Sequence, residues 1–415
     1  MAITIETSAY SPTPAHNRMI YTLSSTNSSQ PNFKYIADVY INNSASYTRL
    51  KVPAHPTNGY GAFNLSNLIK NYATRDVWTP GSTGVVTCPN SIVEYDVRWG
   101  EEYGPSSGVV TYQNLNSSLG KYAINGALDE FVIEKDGTNG EFNFYQFTSD
   151  HLTGFGGSLA ALTNYNNFKV TTNDDFVLDY YNDNTKDTTY LVVLTYDVNN
   201  NLLGTYKIDN PQYPSNTRAK KRIRAYVGPR NLNLSSLASG SQPIITASVY
   251  KYFVALYSST NNFTSDIKTF YIDSSCGSYL RLTFLNQWGA YDSINCYGGY
   301  KEKYNYSRSE FKQNTYTWSG TSYGFSPSNR GLTQFNNKVD YSLRVYSGWK
   351  TEEESKLMEQ MFRSNDVRIV DIYNNVCVPI TIKDTEYIKK TYSRDGLFQY
   401  EFDVMVSFDS LSQSW

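Results

Sequence analysis

Short segments of alternating apolar and polar residues, separated by clusters of Asn, Gly, Ser and Pro, recur along nearly the whole chain. Alternation with period two marks a half-buried β-strand, because successive side chains on a strand point to opposite faces. Ile20 to Leu23, Lys34 to Ile41, Thr48 to Val52 and Ser91 to Trp99 predict such strands. Asn42-Asn43 supplies a tight turn, since Asn tolerates a left-handed backbone better than most residues. Phe63 to Tyr72 instead puts Leu65, Leu68, Ile69 and Tyr72 on one helical face and predicts a short helix.

The Gly-, Asn- and Ser-containing passage Gln113 to Gly120 marks the first expected domain boundary, and beyond it Phe131 to Lys135 and Gly140 to Phe147 flank the turn Asp136-Gly137-Thr138-Asn139. Asp175 to Tyr181, Tyr190 to Tyr196 and Leu203 to Ile208 then predict a meander that ends at the proline-bearing interval Asn210 to Thr217. Strands follow at Ile244 to Leu256, Ile267 to Ile272 and Tyr279 to Asn286, then a stretch from Trp288 to Arg330 rich in Gly, Ser, Asn and Tyr.

One segment has clear helical spacing. Thr351 is placed to cap it, Glu354 completes a capping box, and Glu352 and Glu353 suit the positive end of the helix dipole. Leu357, Met358, Met361 and Phe362 form its apolar stripe, read as core packing. Val367 to Tyr373, Val376 to Lys383 and Phe398 to Phe408 close the chain as strands, with Asn374-Asn375 as a hairpin turn.

These elements predict a mainly β protein of several antiparallel β-sandwich or barrel domains with a C-terminal strand–helix–hairpin module. The expected division is a β-sandwich domain over 1–115, a middle β domain over 116–217, and a C-terminal β domain over 218–415 with its one amphipathic helix near 351–363. No repeat of fixed period is present, which argues against solenoids and propellers.

Composition sharpens this picture. Charged residues are 18% of the 415, below the roughly 25% of an ordinary globular domain, while 38 are Tyr. Tyr covers apolar surface yet keeps a hydroxyl for a hydrogen bond, so an extended protein with several interfaces can use many of them. A formal net charge of −2 predicts no global attraction to DNA or anionic membranes. No run of about 18 apolar residues is present, and the first residues, Met1 to Pro14, lack the basic and apolar regions of a secretory signal. Cys88, Cys276, Cys296 and Cys377 lie far apart and predict free buried thiols, which fits synthesis in a reducing cytoplasm.

Catalytic and metal motifs are sparse. His16, His55 and His151 sit in loop-like sequence without metal-ligand spacing, and Gly154 to Ser158 lacks the Lys of a phosphate loop. The carboxylate pairs Glu101-Glu102, Asp129-Glu130 and Asp174-Asp175 are adjacent in sequence, and adjacent residues on a strand point apart. Asp183-Asn184-Thr185-Lys186-Asp187 lacks the Gly and terminal Glu of a calcium loop. The chain is therefore expected to be non-catalytic, with no metal and no cofactor. The sharpest feature is basic: Arg218, Lys220, Lys221, Arg222, Arg224 and Arg230 place six positive charges within thirteen residues. Ile223, Tyr226 and Val227 run through them, so a strand with one basic face is expected, meeting a partner protein, solvent or DNA phosphates.

The run Leu280-Arg281-Leu282-Thr283-Phe284-Leu285-Asn286-Gln287-Trp288-Gly289-Ala290-Tyr291-Asp292 resembles a motif of virion structural proteins of crAss-like and related Bacteroidetes-infecting bacteriophages, aliphatic-x-W/F-L-N-x-x-G-x-x-D/E. Pro14 to Asn17, Asn32 to Tyr35, Gly59 to Leu65, Ser347 to Glu354 and Val378 to Ile382 are similar to theirs too. In physical terms the motif is a structural corner: Asn286 bonds the turn that Gly289 permits, and Asp292 ties the next strand. The resemblance implies a ring-forming tail protein of barrel or hub type that helps build the DNA-conducting tail, with a C-terminal module of tail-tube type. It implies copies of itself, portal-proximal or distal tail subunits and fibres as partners, transient contact with passing DNA, and residence in the virion tail after synthesis in the host cytoplasm. The alternatives are a head auxiliary or fibre-attachment protein, and a carbohydrate-binding adhesin using Trp288, Trp318 and Trp349.

Overall fold

The structure, a computed structural model, describes residues 3–9, 11–104, 111–128, 159, 161–182, 186–214, 216–273, 279–325, 331–383 and 397–406, with backbone only at 111–115 and 335–338. The strands expected at 131–135 and 140–147 and the turn between them lie outside these residues. The protein is mainly β with several antiparallel sheets. It divides into two compact units: Met1–Ser275 with Phe284–Ser293 and Ile372–Val376, and Cys276–Thr283 with Ile294–Asp371 and Cys377–Trp415.

The first unit contains two sandwich-like pairs of sheets. In the first pair, a five-stranded sheet runs in the order Thr13–Pro14, Thr111–Ile124, Ile92–Tyr103, Lys34–Ile41, Tyr47–Pro53. It shares a core with a three-stranded sheet of Ile3–Thr7, Ile20–Ser25 and Gly61–Asn64. Tyr35, Ala37 and Val39 alternate inward, as their period predicted, and Trp99 sits against Tyr21 and Phe63 at 5.0 and 5.5 Å between ring centroids. Asn42 and Asn43 take φ values of 52° and 58°, the left-handed turn expected of them. The predicted helix is shorter than its pattern: only Ser66–Ile69 is helical. Phe63 belongs to a strand instead, paired with Tyr21, because a cross-strand aromatic contact buries it better than one helical turn would.

In the second pair, a five-stranded sheet ordered Asn167–Val170, Lys268–Ile272, Lys251–Tyr257, Tyr190–Tyr196, Leu202–Asp209 faces a three-stranded sheet of Val177–Tyr181, Arg222–Tyr226 and Val85–Thr87. Phe168, Phe176, Tyr252 and Phe270 stack between them at centroid spacings of 4.8 to 5.1 Å. Each such ring buried contributes about 1.5–3 kcal/mol.

This arrangement differs from the predicted meander. Tyr190–Tyr196 and Leu202–Asp209 are a hairpin, but Val177–Tyr181 lies in the other sheet, paired with Arg222–Tyr226. Gln113 to Gly120, where the first domain boundary is expected, lies inside the strand Thr111–Ile124. The interval 210–217 interrupts a sheet pair to which both flanking segments contribute. Local Gly, Asn and Pro content marks turns, but long-range pairing decides which turns separate units.

In the second unit, Val367–Asp371, Val376–Ile382, Phe398–Val406, Leu332–Lys350 and Tyr300–Lys312 are neighbours in that order. The helix Glu352–Arg363 packs Leu357, Met358 and Met361 inward, and Phe362 meets Phe402 edge-on at 5.1 Å. Its predicted capping box is present: Glu354 N donates to Thr351 Oγ1 (3.3 Å) and Thr351 N donates to Glu354 Oε2 (2.9 Å).

Candidate functional site

Arg222 and Arg224, at the centre of the basic cluster, are internal, which corrects their reading as interface or DNA-facing residues, while Arg218, Lys220, Lys221 and Arg230 are half-buried. Arg218 to Lys221 form a 3-10 turn, and Arg222–Tyr226 is the middle strand of the three-stranded sheet. Arg224 lies directly opposite Asp179 and holds it with two bonds, Nε to Oδ1 at 2.7 Å and Nη2 to Oδ2 at 2.9 Å. Arg222 reaches the same carboxylate at 3.3 Å and also donates to the carbonyls of Ser91 and Gly289. Both guanidinium groups are buried, so neither meets a phosphate or a neighbouring surface. Burial alone would push the Asp179 carboxyl up, but Arg224 and Arg222 outweigh it and hold the group below the usual range. Arg218 caps the carbonyls of Pro89 and Ile92 at 2.7 and 2.8 Å, and Arg230 pairs with Asp175 at 2.8 Å and with Asn375 at 2.9 Å. Lys220 and Lys221 are half-buried, the latter 5.7 Å from the ring centroid of Tyr122.

The corner at Asn286, Gly289 and Asp292 is a buried polar knot. Asn286 Oδ1 accepts from the backbone of Trp288 (2.9 Å) and Ala290 (3.1 Å). Its Nδ2 donates to the carbonyl of Leu162 and to Asp292 Oδ2, both at 2.8 Å. Thr163 Oγ1 adds a bond of 3.1 Å to the same Asp292 oxygen. Burial pushes the Asp292 carboxyl up to about 6, against the lowering effect of those donors. Gly289 has φ +70°, and a Cβ there would fall 1.3 Å from the carbonyl oxygen of Asn125.

The other candidate groups are tied into the fold. Glu101 accepts from Ser25 and Asn27, both at 2.6 Å, while its neighbour Glu102 pairs with Lys51. Asp174 accepts from the Thr171 backbone, and Asp175 from that of Gly81 as well as from Arg230. His16 Nε2 lies 2.9 Å from Asn125 Oδ1, and His55 Nδ1 accepts weakly from the Thr57 backbone. Desolvation raises the Asp187 carboxyl, but bonds from Ser259 and Thr189 overcome it and lower the group to about 2. Cys88 and Cys296 are free and buried, with thiols pushed up by burial to about 12 and about 11, and Cys377 is half-buried. His151, Cys276, Asp129-Glu130, Gly154 to Ser158 and Asp183 to Thr185 lie outside the described residues. Among the described residues no cluster of metal-ligating side chains is present, and no helix is long and apolar enough to cross a membrane.

The surface feature that stands out lies in the second unit. Tyr300–Lys312 pairs with Leu332–Lys350 in a long antiparallel ribbon, while among the described residues Phe398–Val406 accompanies the latter strand only from Ser342 on. Outward of the pair Tyr304↔Tyr341 the described ribbon has two strands. At about 3.3 Å per residue it extends some tens of ångströms. Cross-strand partners share a face, so Tyr300, Tyr304, Tyr306, Val339 and Tyr341 lie on the side where Leu343 and Val345 are buried. Glu302 shares that side and accepts from the Tyr304 hydroxyl at 3.0 Å. The opposite side carries Lys301, Lys303, Asn305, Ser307 and Asp340. Tyr300, Tyr304 and Tyr306 are 45%, 49% and 57% exposed, so the aromatic stripe leaves the core and continues uncovered.

At the end of the ribbon a second hairpin, Tyr316–Ser319 with Ser322–Phe325, carries Tyr316, Trp318, Tyr323 and Phe325 on one face, all exposed. In sequence this stretch reads as rich in Gly, Ser, Asn and Tyr, with Trp318 a candidate for sugar stacking, and the aromatic face as a set is missed. The signal was the two-residue spacing of Tyr316/Trp318 and Tyr323/Phe325 on either side of Ser-Gly-Thr-Ser. Of the three tryptophans named for sugar stacking, Trp318 and Trp349 are exposed at 70% and 67%, but Trp288 is buried, with Nε1 bonded to Asn164. No protein-family model matches the chain, and no curated protein matches it.

Proposed function

We propose that this chain is a non-catalytic structural subunit of a larger assembly, in which the amphipathic ribbon docks on a neighbouring subunit. The observation that carries the reading is the stripe of exposed Tyr300, Tyr304 and Tyr306 with half-buried Val339 and Tyr341, continuous with a buried core. A two-stranded ribbon is marginally stable in water by itself, and burying one aromatic face against a partner stabilises it. Within the resemblance to phage virion proteins, the finer proposal is a ring-forming tail protein of barrel or hub type, with the strand–helix–hairpin ending as its tube-type module. A ribbon that leaves its own core to cover another subunit gives the heterologous contact from which rings close. Head auxiliary and fibre-attachment roles use the same ribbon without ring closure.

The experiment replaces Tyr304 and Tyr306 with Ser in the full chain and follows mass distribution by mass photometry, with negative-stain images. The expected result is loss of closed oligomers with an unchanged unfolding transition. Closed rings that persist in the variant remove the ribbon from the interface, and compact trimers in the wild type favour the head or fibre role over the ring.

A further inference from the structure

We infer that the hairpin Tyr316–Phe325 is a binding platform for neutral glycans. Its four aromatic side chains stand on one face: Tyr316 and Tyr323 stack at 5.6 Å and 22°, Trp318 lies 4.9 Å from Tyr323, and Phe325 meets Tyr316 edge-on at 5.7 Å. The other face carries Thr317, Ser319, Ser322 and Gly324. Gly320 opens the two-residue turn with φ +61°, as a hairpin of this length needs at its first central position. The turn holds the two strands, and hence the rings, in fixed register.

The composition selects the ligand. From Gln313 to Phe325 there is no charged residue and no Leu, Ile, Val or Met; every large apolar side chain is aromatic, and the rest are Gln, Asn, Thr, Ser and Gly. A nucleic acid would need basic groups along its phosphates. Anionic lipid would need them as well, and a site for an apolar protein surface or for acyl chains would gain from aliphatic side chains. A sugar ring offers a C–H face that lies flat on an aromatic ring and hydroxyls that bond to polar groups such as the Tyr316 and Tyr323 hydroxyls on the same face. Exposed rings cost free energy in water, so a set of four that nothing in the described chain covers is best explained by a ligand with a matching apolar face.

The platform is separate from the stripe that carries the assembly reading, so the two fail independently. The test titrates the full-length protein, by calorimetry, with a panel of neutral hexasaccharides of glucose, mannose, galactose and xylose, and with phosphatidylcholine vesicles. Binding of at least one hexasaccharide is expected, weakened at least about tenfold by Trp318→Ala or Tyr323→Ala and unchanged by Trp349→Ala. Both platform positions are exposed, so the variants keep the wild-type unfolding transition. The inference is overturned if no hexasaccharide binds, if Trp318→Ala leaves binding intact, or if vesicles alone bind.

Discussion

Arg224 and Asp179 face each other across two antiparallel strands and form a bidentate ion pair in which both side chains are buried. Such a pair contributes little net stability while intact, yet removing one partner leaves an uncompensated charge in the interior. Asp179→Asn, which leaves the buried guanidinium groups of Arg222 and Arg224 without a counter-charge, is therefore expected to lower the free energy of unfolding by about 3–5 kcal/mol. Lys220→Glu, on a half-buried lysine of the same cluster, should change it by about 0.5 kcal/mol or less. Urea denaturation of both variants checks this. Equal effects would mean that charge count, not burial against Asp179, governs the cluster.

Gly289 gives a second prediction. Any side chain there must both hold φ +70° and displace the backbone carbonyl of Asn125. Gly289→Ala, the smallest change that adds a Cβ, is expected to cost more than about 3 kcal/mol, well above the roughly 1 kcal/mol typical of a point substitution. A midpoint within a few degrees of wild type in thermal unfolding would show that the corner can open without loss.

Asp292 should leave a signature in pH. Its folded-state value of about 6 lies above the ordinary 3.8, so the carboxyl contributes its full stability below about pH 4 and loses it as pH rises through about 6. Asp292→Asn keeps an oxygen to accept from Asn286 and Thr163 and carries no charge to bury. The stability of this variant relative to the wild type is expected to rise between pH 4 and pH 6 by up to about 3 kcal/mol and then stay level. Melting curves of the two proteins that run parallel across that range would show that the knot tolerates the charge.

Elements whose cause is local could be read from the chain alone. Lys34 to Ile41 reads as a strand because its alternation is dictated by the pleat, and Asn42-Asn43 reads as a turn because of intrinsic backbone tolerance. The capped helix at Glu352–Arg363 was legible because its capping box lies within four residues. The corner was legible for the same reason: Asn286 to Asp292 contains the turn and the side chains that bond it.

Whatever depends on distant partners was settled by the folded arrangement instead. Six cations within thirteen residues look alike in sequence, but only the pairing of Arg222–Tyr226 with Val177–Tyr181 places Asp179 opposite Arg224 and puts two of the six in a core. Tyr residues likewise read the same whether covered or exposed. Those at 304 and 306 became an outward stripe because their strand pairs with Leu332–Lys350 beyond the point where a third described strand accompanies it, and Tyr300 joins them on the edge strand of the sheet. Hydrogen-bond registry between residues far apart in the chain selects which faces meet water, and that registry is set by the burial of the whole sheet.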